Sequence, residues 1–447
     1  GLFDVHHLEK PGSINITDEA FEKLFDFFDG WQWTLDIRPD APGDEINPDV
    51  IGYIFEQYIN ERAKMGAYYT QEDITHYIGR NTIIPWLFDK AKEKDAQAFK
   101  PEGGVWALLR ENPDHYIHQS VQKGITPAMR EALDAEFALI PGPSPKEKGA
   151  MQPWWPSSLF ADLPAEVRKG LNPEQKDLWK IRKAWNKSPL TPGPSPEERG
   201  ASDIALPTEI YRELIDRRRR YLEVRRKLKA GEVTAINDLI TYNLDIVEFA
   251  QDVLRETESG DLVWAFYDAI RQVTVLDPTC GSGAFLFAAL NILQPLYAVC
   301  LERMAEFRQQ ALEQKKPQRY KQFQPILDDM AQHPSPRYYI LKSIILRNLY
   351  GVDIMAEAVE IAKLRLFLKL VSVLEPDYTK PNMGIEPLPD IDFNIRAGNT
   401  LVGFGTRAEL EKGLTADMEA AELRPEIEKE CDVVARAFER YKQIQLS

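Results

Sequence analysis

The sequence predicts an α/β protein: a Rossmann-like core of parallel strands behind a large, mainly helical N-terminal region. Three observations carry this expectation. A short apolar run near residue 275 leads into a two-glycine loop and an apolar helix, a second short strand ends in an acid at Asp353, and helical spacing dominates the stretches before them. The chain has 447 residues, room for about three units of roughly 150 residues. Its 44% hydrophobic and 28% charged residues exclude a disordered or collagen-like chain.

From Pro48 to Lys64 the residues Ile51, Ile54, Phe55, Tyr58 and Ile59 follow helical spacing, and Gly66 is placed to stop that helix. Thr70-Gln71-Glu72-Asp73 has the form of a capping box, and Ile74, Tyr77, Ile78 and Ile83 with Pro85 beyond predict a helix over 71–84. Two near-identical segments, 141–150 and 192–201, agree at 8 of 10 positions and flank a Trp-rich piece with Trp154, Trp155, Trp179 and Trp185. Proline and charge leave these segments little to bury, so they read as exposed linkers around an insertion, with docking to a proline-binding partner as the alternative. Residues 205–258 read as charged helix. The run Arg217 to Arg220 within them is either a solvated face with Glu–Arg pairing or a contact for DNA phosphates.

Val273 to Leu276 is apolar and β-branched, as in a buried parallel strand. Gly281 and Gly283 then let the backbone approach a ligand, which would face the N-terminus of the helix beginning at Ala284. A tight turn without a ligand is the plain alternative. A dinucleotide site fits poorly, because Leu286 stands in place of the third glycine and 76 residues separate Asp277 from Asp353. The dinucleotide fingerprint puts its acid about 20 residues on, which sets a nicotinamide-dependent oxidoreductase aside. Asn348 to Ile354 is a second strand, followed by a helix through Ala358, Ile361, Ala362, Leu364, Leu366, Phe367 and Leu370. An acid at that strand tip, beside a glycine loop, suits two ribose hydroxyls. Phe393 to Arg396 predicts a third strand, leading into Gly398-Asn399-Thr400-Leu401.

The net charge is −15, of which residues 1–62 hold −10 (14 acidic against 4 basic), whereas residues 204–230 carry a local +5. This balance argues against a chain whose whole surface grips nucleic acid. Cys280, Cys300 and Cys431 stand far apart, so neither a disulfide framework nor a metal site is expected, and His6-His7 reads as solvated. No apolar run reads as reaching the ~18 residues of a membrane span and the first residues lack a signal-peptide pattern, so a cytoplasmic protein without membrane contact is expected.

Asp277-Pro278-Thr279-Cys280-Gly281-Ser282-Gly283-Ala284-Phe285 resembles the S-adenosyl-L-methionine motif of adenine-specific (N6) DNA methyltransferases. Gly351-Val352-Asp353-Ile354 resembles the motif that follows it, Gly398-Asn399-Thr400-Leu401 the loop after the third strand, and Gly66-Ala67-Tyr68-Tyr69-Thr70 the upstream motif, with Gln71 in place of its usual proline. The order is similar to that in large bacterial methylases of fused restriction–modification and phage-defence systems, the PglX-like group in particular. The resemblance implies a class I methyltransferase core and S-adenosyl-L-methionine as cofactor. Tyr69 and Thr70 would lie at the methionine carboxylate, and Asp277, Pro278, Thr279, Cys280, Gly281, Ser282, Gly283 and Phe285 would cradle the methionine part. Asp353 would bind the ribose, Ile354 would cover the adenine ring, Asn399 would approach its edge, and Leu401 would also belong to the cofactor site.

The family also uses Asn-Pro-Pro-Tyr or a variant to hold a flipped adenine. The nearest strings here, His333-Pro334-Ser335-Pro336-Arg337-Tyr338 and Asn47-Pro48-Asp49, have the wrong spacing and position, so no catalytic residue is assigned. The implied organisation is 1–138 helical with the Tyr-Tyr-Thr motif, 139–203 the proline-flanked insertion, 204–265 charged helix, 266–405 the cofactor-binding core, and 406–447 the start of a helical insertion. Double-stranded DNA is then the partner of the whole enzyme, bound weakly or not at all by this piece, and a C-terminal half or other defence proteins are possible partners. A scaffold subunit that keeps the fold without catalysis is the competing expectation.

Overall fold

The computed structural model describes residues 17–29, 32–33, 45–46, 70–138, 211–374, 378–379, 381–402, 406–415 and 418–446. The expected helix over 48–64, the segment Gly66 to Tyr69 and the proline-flanked insertion lie outside these residues. Contacts divide the chain into one unit of residues 1–98 with 250–447 and another of 99–249.

Among the described residues the α-helices longer than four residues are, in chain order, α1 (Asp18–Asp29), α2 (Glu72–Lys94), α3 (Gly104–Glu111), α4 (Pro127–Ala138), α5 (Tyr211–Lys229), α6 (Ile236–Thr241), α7 (Ile246–Glu256), α8 (Gly260–Gln272), α9 (Ala284–Glu313), α10 (Gln324–Gln332), α11 (Pro336–Arg347), α12 (Ala356–Val371), α13 (Arg407–Thr415) and α14 (Met418–Leu446). A two-residue parallel pair, β1 (Gln32–Trp33) with β2 (Glu45–Ile46), lies near the start. The strands that position the site are β3 (Val275–Asp277), β4 (Leu349–Asp353) and β5 (Ile395–Ala397), all parallel and in the order β3-β4-β5. Val275 pairs with Leu349 and Gly351 with Ile395, so the strand tips Asp277, Asp353 and Ala397 share one end of the sheet.

Two buried asparagines set the strand starts. Asn348, just before β4, donates through Nδ2 to the carbonyls of Ile270 and Val273 at 2.7 Å each, and its own carbonyl accepts the amide of Val275. Asn394, just before β5, donates to the carbonyls of Ile345, Leu346 and Leu349, while its carbonyl accepts the Gly351 amide at 2.8 Å. In each case one side chain satisfies carbonyls left over where a helix ends and a strand begins, groups that are costly to bury unpaired.

Several expectations change. The capping box does not form: Gln71 is the N-cap of α2 and makes no side-chain cap bond. The helix also runs beyond the expected end at residue 84 to Lys94, through Pro85, because Ile83, Ile84, Leu87, Phe88 and Ala91 are all buried along it. That burial outweighs the one backbone bond a mid-helix proline removes. Phe88 meets Phe266 of α8 edge to face at 5.0 Å. Strand β3 begins two residues later than expected, and Leu276 is 60% exposed instead of buried, since β3 is an edge strand of the described sheet. The first half of α9 is apolar enough by length and composition to cross a membrane, contrary to the sequence expectation, but it is mostly buried inside the protein as a core helix.

The arginine run is not uniformly solvated: Arg218 is buried, while Arg219 pairs with Asp216 on the same helix at 3.7 Å. In the unit of residues 99–249, Arg218 and Arg225 of α5 are buried. Arg225 Nε donates to both Asp114 oxygens at 3.0–3.1 Å, and Tyr221 donates to Asp114 at 2.5 Å. Arg218 donates to the Gly124 carbonyl, and Arg220 to that of Thr241. Burial and the Asp114 carboxylate push the Tyr221 hydroxyl above its ordinary range. Around this network Trp106 stacks on Phe249 at 5.9 Å, with Tyr116 against the same ring.

Removing Asp114 takes both carboxylate oxygens from a buried guanidinium. Asp114→Ala should therefore cost about 3 kcal/mol, read as a lower urea midpoint. Glu232→Ala, which only frees Arg226 in an exposed pair, should change the midpoint little.

Candidate cofactor site

The tips of β3, β4 and β5 converge through direct bonds. Cys280 donates its amide to the Val352 carbonyl at 2.9 Å, and the Gly281 amide donates to Asp353 Oδ2 at 2.8 Å. Asp353 Oδ1 accepts the Met355 amide at 2.9 Å, which turns the chain from β4 into α12. The Gly398 amide donates to the Asp353 carbonyl, and Thr400 Oγ1 donates to the Pro278 carbonyl at 2.8 Å, so the loop after β5 is tied to both others. Thr400 belongs to the loop motif Gly398-Asn399-Thr400-Leu401, which by itself gives it no role.

Glycine is required where the loop turns. Gly281 and Gly283 have φ of 51° and 94°, left-handed values that favour glycine, and Gly283 is the N-cap of α9. The Gly283 amide bonds back to the Cys280 carbonyl at 2.7 Å. A Cβ at Gly351 would lie 3.0 Å from both Cys280 Sγ and Leu286 Cδ1, so a bare backbone there lets the loop close on β4. Leu286, in the position of a third glycine, is fully buried.

Two carboxylates share this junction. Asp277 is buried and accepts the Thr279 amide at 3.1 Å. Burial, and to a lesser degree the charge of Asp353, hold its carboxyl above the usual carboxylate range, against the lowering effect of the Thr279 amide. Burial, with Asp277 and Asp353 nearby, pushes the Cys280 thiol up to about 12. The thiol thus stays protonated and packs as a small apolar group, unlike a nucleophilic thiolate. Around the carboxylates the surface is open and apolar, with Ile354 63% and Leu401 93% exposed. Asn399 Oδ1 accepts the Leu401 amide at 3.0 Å, which shapes the loop and leaves the Asn399 amide group outward in an exposed residue.

The structure therefore brings together Asp277, Pro278, Thr279, Cys280, Gly281, Ser282, Gly283, Asp353, Ile354, Asn399 and Leu401, with Phe285 in the first turn of α9. Thr70 is half-buried two residues before α2, and among the described residues no hydrogen bond joins it to the loop. Gly79 of α2 packs on Ala288 and Ile292 of α9. Tyr69 lies outside the described residues. A separate apolar groove of about 1120 Å³ runs between Phe393 and α14, lined by Cys431, Val434, Phe438 and Tyr441, and is not part of this junction.

A half-buried carboxylate with lone pairs to spare, an exposed apolar side chain next to it and unpaired first-turn amides of a long helix fit a nucleoside joined to an anionic tail. Residues 254–401 match the family model of the MmeI DNA-methyltransferase domain. The stretch covers all three strand tips. The chain is also 23% identical over 414 residues to a Methanocaldococcus jannaschii protein named "Putative type II restriction enzyme and methyltransferase". That alignment covers 90% of this chain and 21% of the relative, so the chain spans about a fifth of the relative's length. No solved structure matches the chain. The small parallel sheet and its helices thus fit an α/β methyltransferase domain of the kind the family model describes.

The raised carboxyl of Asp277 makes a signed prediction. Its proton is held more tightly in the folded than in the unfolded chain, so stability is greatest at low pH and falls as pH rises through the folded value. Asp277→Asn, which keeps an acceptor for Thr279, should raise the thermal midpoint of the ligand-free protein at pH 8, with the gain shrinking toward pH 4. A gain independent of pH would contradict the assignment.

Proposed function

We propose that this chain holds the S-adenosyl-L-methionine site of a DNA adenine-N6 methyltransferase, on a Rossmann-like class I core. The observation that carries the reading is the junction at Asp353, where one carboxylate ties the glycine loop to the start of α12 and still faces an open apolar rim. The match to a DNA-methyltransferase domain over the same residues supports it.

In this reading Asp353 accepts the two ribose hydroxyls with the lone pairs left by the Gly281 and Met355 amides. Ile354 covers one face of the adenine, and Asn399 and Leu401 stand at its edge. The first-turn amides of α9, with Thr70 and Tyr69, hold the methionine carboxylate, favoured by the positive end of the helix dipole. The loop from Asp277 to Gly283 and Phe285 walls the rest, and the carboxylates of Asp277 and Asp353 favour a ligand bearing positive charge. The cofactor supplies an electrophilic methyl group on sulfur, which needs no covalent enzyme intermediate.

A target adenine must also be flipped out and its N6 aligned. The Asn-Pro-Pro-Tyr type of motif that does this in such enzymes does not occur in the 447 residues. We therefore assign target binding to protein outside this stretch, a continuation of the chain or a separate subunit, within a cytoplasmic restriction–modification or PglX-like defence system. Double-stranded DNA is the substrate of that whole enzyme.

Calorimetry with S-adenosylhomocysteine should show one site per chain, weakened at least a hundredfold by Asp353→Ala. No binding, or binding indifferent to that change, would count against the reading. The purified chain with labelled cofactor should transfer no methyl to DNA, and transfer to adenine would overturn the assignment of target binding elsewhere.

A further inference from the structure

Beneath the glycine loop lies a charged side chain that none of the motifs includes. Arg365, on α12, is only 5% exposed. Its Nη1 donates to the Ser282 carbonyl at 2.8 Å and to Ser282 Oγ at 3.0 Å, and its guanidinium carbon sits 4.4 Å from the centroid of the Phe287 ring. Ser282 is itself buried at 2% exposure. Guanidinium is held here on two sides, by oxygens of the loop and by the face of an aromatic ring in the helix the loop feeds.

The peptide between Ser282 and Gly283 is the one that turns the chain into α9. Its oxygen is held by Arg365 and its amide by the Cys280 carbonyl at 2.7 Å, so both ends of one rigid plane are fixed. That plane leads straight into the left-handed Gly283, whose Cβ position is 3.3 Å from Ala362 on the same helix as Arg365. One residue earlier, Asp353 fixes the Gly281 amide from the strand preceding that helix. The β4–α12 unit thus grips the loop at two successive points, one with an anion and one with a cation.

We propose that Arg365 is a positioning residue for cofactor binding. It holds the Ser282–Gly283 peptide with its carbonyl turned inward, so that the loop keeps its turn and the first-turn amides of α9 face the ligand. The assignment rests on the cofactor reading above, but the geometry of the loop can be tested without a ligand.

Hydrogen exchange of the ligand-free chain should show faster exchange in peptides covering 278–287 in Arg365→Met, with peptides from 296–313 unchanged. Arg365→Lys keeps the charge, with its donors on a single nitrogen, and should recover part of the protection. Calorimetry should show S-adenosylhomocysteine bound at least tenfold more weakly by Arg365→Met and by an intermediate factor by Arg365→Lys. Ser282→Ala should weaken binding less, and its effect should not add to that of Arg365→Met. Unchanged loop exchange in Arg365→Met would overturn the proposal, as would a general rise across α9 and α12 in both variants that tracks lost stability alone. If the unmutated chain binds no S-adenosylhomocysteine, the cofactor reading fails, while loop exchange still decides whether Arg365 sets the loop.

Discussion

The bond from the Gly281 amide to the Asp353 carboxylate is the constraint on which the site depends. It joins two segments 72 residues apart in the chain, and the rest of the junction is arranged around it. Because Asp353 is held to Gly281, the loop lies so close on β4 that a side chain at residue 351 would press on Cys280 and Leu286. Because the loop lies there, Asp277 is buried and its charge disfavoured. The apolar rim of Ile354 and Leu401 stays open because no described strand covers that end. One charge-assisted bond thus sets a chain of consequences that reaches a second carboxylate, a thiol and the turn into α9.

Much of this was legible in the sequence, for physical reasons. Positive φ at Gly281 and Gly283 demands glycine, and an acid ending an apolar run has few structural uses, so both leave plain marks. The strand bounds were less clear, because an edge strand of three residues shows no burial pattern and the exposed Leu276 looks like a core residue. Pro85 misled for a different reason: tertiary burial on both sides of it outweighs the local cost. The buried arginines of α5 could not be read locally. Arg225 is held by Asp114, more than a hundred residues earlier in the chain, and a pair at that separation leaves no periodic signal. Arg365 was hidden in the same way, as one of several charged residues on α12, with its partner Ser282 83 residues earlier.

The two units show charge put to opposite uses. In residues 99–249 the buried Arg218 and Arg225 satisfy a carbonyl and an acid inside a helical unit, while Arg220 bonds the Thr241 carbonyl at its surface. At the strand tips the acids dominate and face an opening. A net charge of −15 therefore says little about what either region contacts, since the part of the chain richest in arginine spends several of them internally.

The asparagines at the starts of β4 and β5 give the sheet an asymmetry between its two ends. At one end Asn348 and Asn394 weld helix termini to strands with five side-chain bonds between them, while at the other Leu401 and Val402 stand almost bare. The sheet is clamped at its base by these side chains, and at its tip by loop-to-loop bonds beyond which apolar side chains stand open. Substitutions of those open side chains can reshape what is bound without disturbing the clamp at the base, whereas a change at either asparagine would move every tip at once.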